Sequence, residues 1–288
     1  MRKELLNEYV EYLKCLGKSK ETIRSYKTAF NRFFFKDTGF TEIEELNVNR
    51  MWCLDYAYSL KDSLSVSTIN KHMKQMSSFY AFLVIKGYVK NNPFYQLPSL
   101  SNSDSPYKDK VMSDEQAKII LDTSNNFEIR TKALVYLLLN VAPRIGEVSR
   151  IRVKDIDLDN NKIWIRSKGH NDQIARFSNF NMKTKDLLID LIVEYGATRE
   201  YLFVNYKGEK LSEQSLRKMW YEVCEVAEVE GVTPHQCRHF VGSSLISKGI
   251  PVEKVAQVLG HSSIKTTERY YIKPKDDFND VLSKIDIF

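Results

Sequence analysis

The chain predicts a mostly α protein with a small β-sheet, arranged as two domains. Three observations predict it. Apolar residues recur at helical spacing along most of the 288 residues. Strand-like alternation is confined to two short stretches around Gly169-His170-Asn171-Asp172. Residues 98–110, rich in Ser, Asp and Pro and without periodicity, read as an inter-domain linker. A chain of this length fits about two domains, here residues 1–97 and 111–288.

In the first domain, Leu5, Tyr9, Tyr12 and Leu13 form a stripe along a helix that Gly17 stops. Ser19 caps a second helix with Ile23, Tyr26, Phe30 and Phe33 on its apolar face. A third covers Asn49 to Leu60, and its pattern turns Met51, Leu54 and Tyr58 inward. Ser65 or Ser67 opens a long fourth helix that buries Ile69, Met73, Met76, Tyr80 and Leu83. Gly87 ends it, and Asn91-Asn92-Pro93 bars its continuation. Residues 1–105 hold 15 Lys and Arg against 11 Asp and Glu, a net +4. Lys18, Lys20, Arg24 and Lys27 cluster at the start of the second helix, and Lys71 and Lys74 lie near the start of the fourth. Cations at helix N-termini are good seats for DNA phosphates, although a solvated helix face has the same composition.

The second domain opens at Ser113-Asp114-Glu115-Gln116, a capping box ahead of Ile119, Ile120 and Leu121. A strongly apolar helix from Ala133 to Val141 breaks at Ala142-Pro143, immediately before Arg144. Asp159-Asn160-Asn161 marks a turn, and Lys162–Arg166 and Gln173–Phe177 read as a hairpin with Lys168 at its tip. Helices resume from Lys183 to Tyr195 and after Ser212. Thr233 with Pro234 is a strong helix start, and it sets His235 and Arg238 three residues apart on one face. Pro251 starts the next helix, and Gly260 stops it just before His261. Ser262 or Ser263 caps a short helix carrying Tyr270, and Phe278, Val281, Leu282 and Ile285 recur at helical spacing in the tail.

Composition excludes several classes. No run of about 18 apolar residues is present to span a membrane, and the N-terminus lacks a signal peptide's apolar region, so a cytoplasmic protein is expected. Cys15, Cys53, Cys224 and Cys237 are scattered without a C-x-x-C pair, which argues against a disulfide framework or zinc site. The net charge of +6 leans toward a polyanionic partner.

The cations of the second domain suit phosphate chemistry. Arg144 with Glu147, Lys168-Gly169 on a hairpin, His235-x-x-Arg238, Leu259-Gly260-His261 and Tyr270 occur in that order. Each has an ordinary reading alone: a helix cap, a polar helix face, a C-cap histidine, a core tyrosine. In this order and spacing they resemble the tyrosine recombinase/integrase family. Ser19-x-x-Thr22-x-x-x-Tyr26, Ser67-x-x-Asn70, Phe79-Tyr80-x-Phe82-Leu83 and Asn92-Pro93 are similar to the family's N-terminal core-binding domain, so the resemblance covers nearly the whole chain. It looks like the simpler Xer- or Cre-like architecture, without an arm-binding domain.

That resemblance implies a SAM-like four-helix domain and a mixed α/β catalytic domain. It implies site-specific cleavage and rejoining of DNA through a 3′-phosphotyrosine and a Holliday junction. Tyr270 is then the nucleophile, with Tyr271, about 100° around the helix, in a packing role. Arg144 and Arg238 fork onto the non-bridging oxygens. Lys168 protonates the leaving 5′ oxygen, while His235 and His261 bond phosphate oxygens or help take the phenolic proton. Glu147 positions Arg144 or a neighbouring histidine. The arginines supply the charge a metal otherwise would, so neither metal nor cofactor is implied. The expected partners are duplex core sites with inverted repeats, and further copies of the chain, a dimer per site and a tetramer in the synapse, joined through the tail. A second recombinase or accessory protein is a further possible partner. A type IB topoisomerase-like relaxase and a non-enzymatic DNA-binding regulator are the alternatives. Two departures stand out. Val141-Ala142-Pro143-Arg144 replaces the family's usual Thr-Gly-Leu-Arg, and His170-Asn171-Asp172-Gln173 is less basic than usual.

Overall fold

Short polar residues ahead of apolar runs decide where the helices begin. Ser19, Asn49, Ser65, Ser113, Asn181, Ser212 and Thr233 each accept a hydrogen bond from the backbone N–H three residues on, which satisfies a donor the helix itself leaves open. The computed structural model describes residues 1–101, 112–166 and 174–260, and the chain divides into two compact units, Met1–Tyr107 and Lys108–Phe288.

The first unit contains α1 (Arg2–Cys15), α2 (Lys20–Asn31), α3 (Arg50–Ser59) and α4 (Val66–Ile85). The five residues expected inside α4 are all buried. α2 runs on into a π-helical segment, Arg32–Asp37, that the sequence pattern did not announce. Its wider turn admits both Phe33 and Phe34 to the core while Phe35 stays exposed. Phe33 then makes edge-on contacts with Phe40, Trp52, Tyr56, Tyr80 and Phe94, the geometry that ring quadrupoles favour.

The inward face of α3 is not the predicted one. Cys53, Tyr56 and Ala57 are buried, while Met51 and Tyr58 are 67% and 66% exposed. Polar bonding explains the difference. The Tyr56 hydroxyl donates to Asp37 Oδ2 at 2.7 Å and lies 2.7 Å from His72 Nε2, and Arg32 Nε donates to the same Asp37 oxygen at 3.1 Å. A ring with a satisfied polar tip wins the core position over an unbranched apolar chain.

The second unit holds α5 (Asp114–Ser124), α6 (Ile129–Asn140), the single turn α7 (Ile145–Val148), then β1 (Ile156–Asp157), β2 (Lys162–Arg166) and β3 (Ile174–Asn179), and finally α8 (Met182–Tyr195), α9 (Glu213–Val226), α10 (Pro234–Ser247) and α11 (Val252–Leu259). The expected hairpin is part of a three-stranded antiparallel sheet in the order β1-β2-β3. Two residues of β1 pair across the Asp159-Asn160-Asn161 turn, too few to alternate visibly in sequence. Leu134, Leu137 and Leu138 of α6, Ile163 and Ile165 of β2, Leu188 and Leu191 of α8 and Trp220 of α9 share one core. A small separate cluster of Ala142, Val255 and Leu259 joins the end of α6 to α11. Among the described residues no helix is long and apolar enough to cross a membrane. The four thiols are free, and all but Cys15 are buried.

Burial pushes the His72 imidazole down to about 4, with Asp37 pulling it up and Arg32 pushing it further down. An unfolded imidazole titrates near 6.5, so between these values the unfolded chain binds more protons. Stability from neutral His72 is therefore complete above about pH 6.5 and falls as the pH drops toward 4, by up to about 3 kcal/mol. Urea unfolding of the full chain at pH 7.5 and 4.5 checks this. His72→Gln removes that part of the pH dependence, and an unchanged dependence in the variant contradicts it.

Candidate active site

The site begins with a fully buried cation. Trp220 Nε1 donates to Val232 O at 3.1 Å and fixes the approach to α10. Thr233 and Gln236 then close a capping box around its first turn. Arg238, one turn further on, is 1% exposed. Its Nη1 donates to Ala142 O at 2.8 Å, and its Nη2 donates to Leu259 O. One guanidinium thus joins the ends of α6 and α11 across 96 and 21 residues of chain.

Ala142 adopts φ +54°, a left-handed conformation that costs a residue with a Cβ about 1–2 kcal/mol. The chain turns there and Pro143 prevents helix from resuming at once, so Arg144 becomes the residue ahead of α7. Glu147 folds back on it. Its Oε2 accepts the Arg144 backbone N–H at 2.8 Å, and its Oε1 accepts Arg144 Nη1 at 2.8 Å. The Arg144 side chain remains 46% exposed while that of Glu147 is 8% exposed. Gly146 lets the Glu213 carboxylate of α9 lie close against this turn, a space that a Cβ would make it vacate. Glu147 thus bonds both the backbone and the guanidinium of Arg144.

Arg176, which the sequence reading passed over, completes the group. Its side chain is 8% exposed, and its Nη2 lies 3.2 Å from Glu147 Oε2. Burial alone would raise the Glu147 carboxyl, but the Arg176 charge and the bonds and charge of Arg144 outweigh it and hold it below its ordinary value. Burial lowers Arg176, and the Glu147 charge opposes that. Two guanidinium groups share one carboxylate, so the cluster carries a net positive charge even before Arg238 is counted.

Strand register explains why Arg176 was missed. Ile163 and Ile165 face the core, and their partners across the ladder are Ser178 and Arg176. Phe177 points outward and is 58% exposed. Alternation read from polarity puts Phe177 inside. The usable signal was the pairing with β2, which a bulge between Ile165 and Arg166 shifts by a residue.

His235 and Arg238 lie at different depths on α10, the histidine exposed and the arginine buried. The His235 ring packs edge-on against the buried His239, with centroids 4.5 Å apart. Lys168, His261, Tyr270, Tyr271, the helix expected from Ser262 or Ser263 and the tail from Asp276 to Phe288 lie outside the described residues. In the first unit, Lys18, Lys20, Arg24, Lys27, Lys71 and Lys74 are all exposed. A bond from Gln75 Nε2 to Ser25 Oγ at 2.9 Å ties α2 to α4 between Arg24 and Lys74, so the two basic clusters lie on adjoining helices.

Comparison with known proteins gives this group its context. Residues 110–277 match the Phage integrase family, and residues 6–87 match the phage integrase N-terminal SAM-like domain. Tyrosine recombinase XerC of Oceanobacillus iheyensis is 26% identical, covering 97% of this chain and 94% of its own. Tyrosine recombinase XerA of Pyrococcus horikoshii is 26% identical, covering 93% and 88%. The Tn1549 transposon integrase (residues 82–397), solved with circular intermediate DNA, shares the fold with a TM-score of 0.77 at 18% identity over 98% of this chain and 99% of that one. The XerH site-specific recombinase, solved on palindromic difH substrate, does so with a TM-score of 0.73 at 20% identity over 92% and 80%. With both domain families matched along its length, the chain belongs to the phage integrase family as an Xer-like tyrosine recombinase, an enzyme that cuts and rejoins DNA through a tyrosine.

Proposed function

We propose that Tyr270 attacks a phosphodiester held between Arg144 and Arg238, within a catalytic domain of residues 111–288 that follows a DNA-binding domain of residues 1–97. The observation that carries this reading is the convergence of the two arginines. Arg238 bonds the carbonyl of Ala142, two residues before Arg144, and the half-exposed Arg144 guanidinium leans on a buried carboxylate. Charge fixed in place before substrate arrives needs no reorganisation as the pentacoordinate phosphorane forms, and a planar guanidinium matches two phosphate oxygens. The phenol oxygen bonds to phosphorus, and the bond to the 5′ oxygen breaks. Lys168 gives that oxygen its proton, while His235 or His261 takes the phenolic one. The 3′-phosphotyrosine keeps the bond energy, and the released 5′ hydroxyl of a partner duplex attacks it to form the Holliday junction. Such chemistry on chromosomal, plasmid or mobile DNA belongs in the cytoplasm.

A nicked suicide duplex tests this, built on the site that the full chain selects from a random duplex library. Tyr271→Phe retains the covalent adduct, Tyr270→Phe forms none, and Arg144→Ala or Arg238→Ala slows it by about 10²–10³-fold. An adduct from Tyr270→Phe overturns the assignment of the nucleophile. Adduct without recombinant joints between two sites favours a relaxase, and no adduct from the parent chain favours a regulator.

The exposed cations of α2 and α4 make phosphate contacts in this reading. Arg24→Ala and Lys74→Ala each weaken binding about equally across sequences and reduce the slope of log affinity against log salt by about 1. Titrations at several salt concentrations check this, and an unchanged slope removes the residue from the interface.

The tail after Asp276 docks on the next protomer, a head-to-tail contact that closes a ring of four copies on two sites. Deleting residues 276–288 abolishes cooperative binding to the inverted repeats while the melting temperature holds. Cooperativity that survives the deletion shows the tail packs on its own domain.

A further inference from the structure

Arg176 occupies a position whose chemistry the proposed roles leave unused. Its guanidinium lies nine-tenths buried beside Glu147, bonded through Nη2, while its Nη1 has no hydrogen-bond partner among the described residues. Its aliphatic stem covers Gly260. A Cβ at that glycine would lie 2.5 Å from Arg176 Cδ and 2.7 Å from Nε, and Gly260 holds the left-handed φ of +62° that ends α11. One side chain therefore touches the carboxylate that orients Arg144 and the residue immediately before His261.

We propose that Arg176 is a positioning residue that holds Glu147 in place when Arg144 leaves it for the scissile phosphate. This rests on the reading of Arg144 as a phosphate ligand. Arg144 commits Nη1 to Glu147 Oε1. A two-point grip on phosphate draws that nitrogen away. Left without a counter-ion, the buried carboxylate would either recapture Arg144 or take up a proton. Arg176 prevents both. Its Nη2 already meets Oε2, and Nη1 has a donor with which to take the vacated Oε1, turning a single contact into a two-pronged one. Glu147 then stays charged, continues to accept the Arg144 backbone N–H, and keeps the turn that aims Arg144. The stem meanwhile keeps Gly260 seated as the charges rearrange.

The other charges near Glu147 are already engaged. On α9, Glu213 lies against Gly146 and pairs with Arg150 at 3.8 Å. On β2, Arg166 is held by Asp155 at 2.5–2.6 Å. On α10, Arg238 bonds two carbonyls. Arg176 and Arg144 are the charges that set the Glu147 carboxyl.

The test uses the full chain and the library-selected nicked duplex, with adduct formation followed at saturating DNA from pH 5 to 8. Arg176→Met keeps the stem over Gly260 and removes the charge. It lowers the adduct rate about 10- to 100-fold at neutral pH, with duplex affinity unchanged. Because Glu147 has lost a cation its carboxyl titrates higher, so the rate falls away at a higher pH than in the parent. Arg176→Lys restores the charge and returns the acid limb to its parental position. A rate within twofold of the parent, or a loss equal at every pH, overturns the proposal. If Arg176→Met does not fold, Arg176→Gln is judged by the same criteria. Arg144→Ala separates the two readings. If it forms adduct at the parental rate, the phosphate role of Arg144 fails, whereas an Arg144→Ala slowed about 10²–10³-fold beside an unaffected Arg176→Met defeats this inference alone.

Discussion

The buried guanidinium of Arg238 holds the catalytic unit together. A charge that is 1% exposed needs acceptors for its donors, and here two backbone carbonyls accept from Nη1 and Nη2, at the ends of α6 and α11. Arg144 follows the first of those ends by two residues. The spacing between the ends of α6 and α11 is therefore set by one rigid planar group. The apolar cluster of Ala142, Val255 and Leu259, with Val241 and Leu245 of α10 packed against it, excludes water from the same junction and strengthens the bonds it surrounds. Packing and electrostatics act here on the same few residues.

Around that clamp the charges are graded by depth. Arg238 is buried, Arg176 and Glu147 lie just beneath the surface, and Arg144 is half exposed. A carboxylate between two arginines lowers the local charge without cancelling it, which eases the repulsion between the two guanidinium groups. It also fixes the side chain that must reach outward, since the bonds from Glu147 to both the backbone and the guanidinium of Arg144 leave little rotational freedom. In the proposed mechanism that fixed orientation is what preorganised electrostatic stabilisation requires.

Local signals in the sequence were read correctly where local chemistry decides the structure. Caps at Ser19, Ser212 and Thr233 fell where a short polar side chain precedes a helical stripe, and Arg144 follows a break that Pro143 makes explicit. The misread face of α3 and the omission of Arg176 share one cause, a polar residue drawn inward by a distant partner. On α3, Tyr56 goes inside because its hydroxyl donates to Asp37 and pairs with His72 Nε2, leaving Met51 outside. On β3, Arg176 goes inside because Glu147 is there and Ile165 faces it across the ladder, leaving Phe177 outside. Polarity patterns assume that charge prefers water. At a functional site a buried ion pair reverses that preference, and only knowledge of which residues meet in space reveals it.

Ala142 shows how the fold accommodates its departure from the family's usual glycine. A glycine adopts positive φ without penalty, whereas the alanine strains by about 1–2 kcal/mol. The methyl group is not idle, because it is fully buried against Val255 and Leu259, and burying one such group contributes about 0.8 kcal/mol. The Arg238 bond goes to the backbone carbonyl of Ala142, which a glycine would offer equally, so the buried methyl alone offsets part of the strain. Pro143 adds a second effect by restricting φ in the unfolded chain. A hinge that a glycine would leave loose thus becomes a corner stiffened by a methyl, a ring and a buried cation, immediately before the arginine it has to aim.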